Sequence, residues 1–83
     1  LKRSRAEATA RFALLGDYLA PGSRILDLGS GSGEFLDILA KAGHRATGIE
    51  LGRDFARYAR AAYGADVIES SWQAADLPAA SFD

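Results

Sequence analysis

The sequence contains no cysteine and no methionine, and has one histidine and two prolines in 83 residues. Without thiols there can be neither a disulfide framework nor a thiolate metal site. His44 stands directly after Gly43 with no second ligand beside it, so it reads as a plain loop position and no metal centre is expected. Long hydrophobic runs are also missing: Phe12 to Leu15 is far too short to span a bilayer. The basic start, Leu1 to Thr9, has no apolar stretch behind it, so it is not expected to be a secretory signal. Nor is there an excess of either charge. Ten basic and eleven acidic residues leave a net −1, so no global field points to nucleic acid or an anionic membrane. A soluble, cytoplasmic protein without nucleic-acid or membrane partners is the expectation. Because even position 1 lacks methionine, we expect a piece of a longer product.

What is present is ordinary globular composition, 48% hydrophobic and 25% charged. The length allows one small core. Ser4 with Glu7 three positions on has the form of a capping box, predicting a first helix over residues 1–20. Ala8, Phe12, Leu15 and Leu19 recur at helical spacing, and Pro21-Gly22 ends the segment. Gly16 within it costs about 1 kcal/mol relative to Ala, which predicts bending or fraying there. Arg24 to Leu28 reads as a short buried strand. Phe35, Ile38, Leu39 and Ala42 then line one helical face, with Glu34 and Asp37 in the first turn and Lys41 in the last. Gly43 falls at the C′ position. Arg45 to Glu50 is a second strand. A helix over 54–63 follows, expected to bury Phe55, Tyr58, Ala59 and Ala62 and to end at Gly64. Val67 to Glu69 is a third strand. Arg53, Arg57 and Arg60 share one helical face, which the near-neutral charge assigns to solvent.

Alternation of helix and strand with short connections predicts an α/β fold with parallel strands and right-handed crossovers. Three such strands make the N-terminal half of a doubly wound sheet.

The chemistry concentrates in Ile25 to Glu34, where three glycines alternate with two serines directly behind an apolar run. In a doubly wound sheet, ligands bind beyond the carboxyl ends of the strands, where the first strand turns into its helix. Glycines there let the backbone turn sharply and approach a ligand without a Cβ in the way. Free amides at the helix start would favour an anionic group. Gly29, Gly31 and Gly33 are therefore expected to cradle a small molecule, although a tight turn with no ligand would use the same residues. The dinucleotide pattern G-x-G-x-x-G would place a small residue at position 34, where this chain has Glu34. No Gly-Lys-Ser/Thr follows, so the Walker pattern fails. Glu50 ends the second strand at the spacing where an acidic residue meets ribose hydroxyls.

These residues resemble the class I S-adenosylmethionine-dependent methyltransferases. Ile25 to Phe35, "ILDLGSGSGEF", is similar to their glycine-rich first motif, preceded by a "PGSR" turn. "TGIEL", Thr47 to Leu51, is similar to the acidic strand end that follows. "ADLPAASFD", Ala75 to Asp83, is similar to the approach to their fourth strand. The resemblance runs from Pro21 to Asp83. It implies a Rossmann-like fold with residues 21–83 as the N-terminal part of the cofactor-binding domain, cut before the fourth strand.

The resemblance also implies roles. Asp27 lies near the ammonium of the methionine portion. Gly29, Ser30 and Gly31 pass the methionine and ribose portions, and Gly33 opens the helix. Glu50 binds the ribose, and Leu51 lies under the adenine. Where many relatives carry an Asp that accepts from the adenine amino group, this chain has Ser71-Trp72-Gln73. Gln73 could accept through its carbonyl and Trp72 could pack on the purine; Trp72 in a core and Gln73 in solvent is the alternative. The implied cofactor, S-adenosylmethionine, with S-adenosylhomocysteine as product, carries no phosphate, which accommodates Glu34. The implied activity is methyl transfer to an unidentified acceptor, expected to be a small molecule. No residue is assigned a catalytic role. Two other classes stay open at this point: the nucleotide-binding half of a nicotinamide-dependent oxidoreductase, and a non-catalytic module on the same fold.

Overall fold

The computed structural model describes residues 2–71 and 73–75. Its elements are α1 (Lys2–Leu15), a 3₁₀ turn (Gly16–Tyr18), β1 (Arg24–Leu28), α2 (Glu34–Lys41), β2 (Arg45–Glu50), α3 (Arg53–Tyr63) and β3 (Asp66–Glu69). The strands form one parallel sheet in the order β1-β2-β3. In register, Asp27 stands beside Gly48, and Glu50 beside Glu69. This is the α/β half-sheet that the alternation predicts.

Local chemistry accounts for most boundaries. The α helix ends at Leu15 and tightens into the 3₁₀ turn at Gly16, where a Cβ would lie 3.2 Å from the Phe12 ring. Helix α2 closes with a Schellman motif: Gly43 N–H donates to Ala40 O and His44 N–H to Leu39 O, both at 3.0 Å. Gly43 takes φ +93° and Gly64, ending α3, takes φ +63°. His44 is not idle, since its Nδ1 accepts the Ser23 amide at 3.2 Å and so pins the entry to β1.

Packing follows the period of each element. Ile25 and Asp27 share one face of β1, and Ala46 and Gly48 the same face of β2. Leu36 of α2, Ala56 and Ala59 of α3 and Val67 of β3 form one buried cluster. Ala8, Phe35 and Leu39 form the other, joining α1 to α2. Gly48 is small because a Cβ there would run into Ser30 and, at 2.7 Å, Leu36 Cδ1. Gly33 has φ +96°, and a Cβ on it would meet Ala59 Cβ at 2.6 Å.

Two expectations are corrected. Ser4 lies inside α1, which begins at Lys2, so it does not start the helix. On α3 the buried stripe is Ala56 and Ala59, while Phe55, Tyr58 and Ala62 are exposed. Ala59 fits both stripes, but the close approach of α2 admits small side chains, and the large rings turn about 100° away. The arginines of α3 are partly engaged: Arg60 donates to Val67 O at 2.5 Å and Arg53 lies 3.8 Å from Glu69.

Helix α1 is fastened by charge. Arg5 Nη1 reaches Asp37 Oδ2 of α2 at 2.8 Å, and Lys41 reaches the same oxygen at 3.0 Å. Burial would raise the Asp37 pKa, but the hydrogen bonds from Arg5 and Lys41 outweigh it and hold the carboxyl below its usual range.

Two tests follow from this packing. Gly43→Ala meets open space and carries mainly left-handed backbone strain, about 1 kcal/mol. Gly33→Ala adds overpacking against Ala59, about 1–3 kcal/mol more; urea unfolding of the intact protein compares the two. The second test uses pH. Because the Asp37 pKa is lowered, its stabilisation is complete above the ordinary carboxylate range and is lost as pH falls through the lowered value. Asp37→Asn is therefore expected to lower the melting temperature near neutrality and to converge with wild type in acid.

Candidate functional site

The loop between β1 and α2 crosses the carboxyl end of the sheet and is fastened to the end of β2. Gly29 N–H and Ser30 N–H both donate to Ile49 O, at 2.8 and 3.2 Å. Gly31 N–H donates to Glu50 Oε1 at 2.7 Å, and Gly33 N–H to Ser30 O at 3.2 Å. The second Glu50 oxygen, Oε2, accepts Gly52 N–H at 2.8 Å. The expectation of free amides at the loop is thus corrected for these four residues. Their donors are taken up inside the protein, because a parallel neighbour strand ends within reach and supplies a carbonyl and a carboxylate.

Gly29 and Gly31 take φ +70° and +58°, and a Cβ on either would point into open space. That conformation is what glycine permits, and the empty volume beside it is available to a ligand. Gly33 serves a different purpose, letting α3 approach the start of α2.

Among the described residues, clefts lie on either side of this loop. One, of about 310 Å³, is lined by Leu28, Gly29, Ile49, Glu50, Leu51, Ser70, Ser71 and Gln73. It brings together four of the residues singled out by sequence: Gly29, Glu50, Leu51 and Gln73. Leu51 is 73% exposed, an apolar side chain left uncovered in the wall of this cleft. Trp72 lies outside the described residues, as does Asp76 to Asp83 of the segment similar to the approach to a fourth strand. The other cleft, about 150 Å³, lies between α1 and the loop and is lined by Glu7, Ala8, Arg11, Ser30, Glu34 and Phe35.

Asp27 sits at the end of β1 and is 7% exposed. Its Oδ1 lies 3.5 Å from Arg11 Nη2, while its Oδ2 is buried without a hydrogen-bond partner. Burial raises the Asp27 pKa; Arg11 opposes the rise and the Glu50 charge adds to it. Ser30 Oγ is likewise buried and unpartnered. Ser30 lines the smaller cleft, so one of these two unpartnered buried atoms belongs to a residue at its wall.

Glu34 and Arg11 were not among the residues singled out for the site. Glu34 is buried, accepts Ser32 Oγ at 2.5 Å and Tyr63 OH at 2.9 Å, and so locks the start of α2 to the end of α3. Burial and the Glu34 carboxylate push the Tyr63 phenol up, which keeps it a donor. The placement of Glu34 directly after Gly33 was the available signal. For Arg11 there was none, since it is sixteen residues from Asp27 and one of eight arginines.

Glu50 can be tested as the fastener of the loop. In ligand-free protein, Glu50→Ala is expected to speed hydrogen exchange at the Gly31 and Gly52 amides and to cost about 1–3 kcal/mol. Glu50→Gln keeps one acceptor and turns an NH₂ toward the other amide, so it should free one of the two.

Comparison with known proteins agrees with this geometry. The sequence model of a family described as "Methyltransferase domain" matches residues 1–81. No curated protein matches the chain. Among solved structures, a TehB-like methyltransferase from Corynebacterium glutamicum superimposes with TM-score 0.71 at 20% identity, over 100% of this chain and 53% of that one. At that identity the likeness shows the fold. An S-adenosylmethionine-dependent methyltransferase from Mesorhizobium loti gives TM-score 0.71 at 31% identity, covering 89% of this chain and 36% of that one. A methyltransferase from Geobacter sulfurreducens, solved with S-adenosyl-L-homocysteine, gives 0.64 at 33% identity, over 78% and 28%. The chain spans about half or less of the length of each of these structures. With its motif loop, its sheet order and nearly its whole length matched, the chain belongs to the methyltransferase domain family.

Proposed function

We propose that the protein to which this chain belongs transfers a methyl group from S-adenosylmethionine to a small-molecule acceptor, and that this chain supplies the cofactor's binding site. The observation that carries the reading is the disposition of donors and acids around the loop. The amides of Gly29, Ser30, Gly31 and Gly33 are already donated within the protein. A pyrophosphate at this turn would need such donors free. Asp27, Glu34 and Glu50 instead surround the loop with acceptors, the electrostatics that a cationic ligand without phosphate requires. The unpartnered Asp27 Oδ2 and Ser30 Oγ and the open space at Gly29 and Gly31 fit such a ligand. So does a relative's bound S-adenosylhomocysteine.

Residue by residue, Glu50 would hold the ribose hydroxyls, each carboxylate oxygen keeping a lone pair beyond the amide it already accepts. Leu51 and Gln73 would meet the adenine, Leu51 by apolar contact and Gln73 through its amide. Trp72, between Ser71 and Gln73, belongs to the same assignment. Asp27 would take the ammonium of the methionine portion. Gly29, Ser30 and Gly31 form the turn that would let this portion pass close to the backbone, and Gly33 opens the helix behind it. The bound cofactor supplies a methyl group on a positively charged sulfur, already activated for displacement. The task of these residues is to fix that methyl group in place and in line for an incoming nucleophile.

Calorimetric titration of the intact protein with S-adenosylhomocysteine tests the reading, with NAD⁺ and Glu50→Ala alongside. Saturable binding of the thioether, no binding of NAD⁺ and a loss of about tenfold or more in the variant are expected. A folded protein that takes up no thioether overturns it.

A further inference from the structure

The loop amides donate within the protein, but the first turn of α2 keeps donors of its own. The first bond of that helix runs from Asp37 N–H to Gly33 O at 3.0 Å. The amides of Glu34, Phe35 and Leu36 therefore have no carbonyl within the helix to donate to. A helix start of this kind, directly behind a glycine loop, attracts phosphate. It is where a doubly wound sheet holds a dinucleotide's pyrophosphate. Occupied loop amides do not by themselves keep a phosphate from it.

A buried carboxylate stands at that helix start. Glu34 opens α2 and is 4% exposed. Its Oε1 accepts Ser32 Oγ at 2.5 Å and its Oε2 accepts Tyr63 OH at 2.9 Å. Both partners are neutral hydroxyls, and each can turn to donate or accept. A neutral amide would join them as well, so the tie between α2 and α3 does not require a charge. Burying a carboxylate in its place costs free energy. Position 34 is also where the pattern G-x-G-x-x-G/A calls for a small residue, so one side chain separates this loop from that fingerprint.

We infer that Glu34 is a specificity-determining residue of this site: its carboxylate, held at the start of α2 by Ser32 and Tyr63, turns away nucleotides that carry phosphate and reserves the loop for adenosine ligands without it. Only the adenosine end of the ligand rests on the proposed function. Like charges repel more strongly beside a buried group than in water, so one carboxylate at the helix amides suffices to offset their attraction for an anion. Arg11 lines the same cleft as Glu34, but its guanidinium lies over the Phe35 ring and 3.5 Å from Asp27 Oδ1. Tyr63 suits the holding role, because burial and the Glu34 charge push its phenol up and keep it a donor.

The test titrates the intact protein with adenosine, ADP and S-adenosylhomocysteine by calorimetry. ADP is adenosine with a pyrophosphate, so the ratio of those two affinities isolates the phosphate. Wild type is expected to bind ADP no better than adenosine. Glu34→Gln keeps the shape and removes the charge; it should tighten ADP by about tenfold and leave adenosine and S-adenosylhomocysteine within about threefold. Glu34→Ala completes the dinucleotide pattern and should shift the ratio the same way, which decides the matter should Glu34→Gln fail to fold. An unchanged ratio in the folded variants reduces Glu34 to a tie between helices and overturns the inference. So does a wild type that prefers ADP to adenosine. A gain for ADP in the variants, with no thioether bound by wild type, upholds Glu34 as the filter and sinks the cofactor reading. If none of the three proteins binds any of these compounds, both fall.

Discussion

The end of β2 holds the β1–α2 loop. Ile49 O takes two loop amides and the Glu50 carboxylate takes a third, together with the amide of Gly52. Everything at the site hangs on this. Parallel pairing sets Asp27 beside Gly48, two residues short of Glu50, so both acids reach the same end of the sheet. The absence of a side chain at Gly48 lets Ser30 and Leu36 close over β2. A loop held by its own sheet is ordered before any ligand arrives, and its conformational entropy is then not charged against binding.

Four acids stand around this loop, and the structure treats each differently. Asp37 is paired with Arg5 and Lys41 and ties the helices together. Glu34 accepts from Ser32 and Tyr63. Glu50 accepts from two amides. Asp27 alone among them is buried with one oxygen unserved, and its raised pKa expresses that cost. A buried carboxylate oxygen without a partner carries a desolvation cost that Arg11, at 3.5 Å from the other oxygen, offsets only in part.

The local levels of the fold were readable in the residues. Strands β1 and β2 fall where the apolar runs and their flanking glycines place them, and α2 ends in the αL turn that Gly43 signals. Glycine, strand and cap preferences are local physics, and neighbours along the chain are enough to express them. The reading of α3 failed on a nonlocal matter. Phe55, Tyr58 and Ala62 make as regular a stripe as the buried one, and only the approach of Gly33 to Ala59 chooses between the two faces. Ser4 was misread as a cap because the S-x-x-E pattern also occurs inside helices.

The sequence by itself determined the element order, the parallel sheet, the position of the glycine loop and the acids at the ends of β1 and β2. It did so because periodicity and turn chemistry act over a few residues. Tertiary structure decided how those groups are satisfied. It gave the loop amides to Ile49 and Glu50, tied Glu34 to Tyr63, and brought Arg11 of α1 to Asp27 of β1. These partners are separated by 16 to 29 residues, and no local pattern records them. Which polar group meets which is settled only once packing has placed the elements, and among the described residues that settlement leaves Asp27 Oδ2 buried without a hydrogen-bond partner.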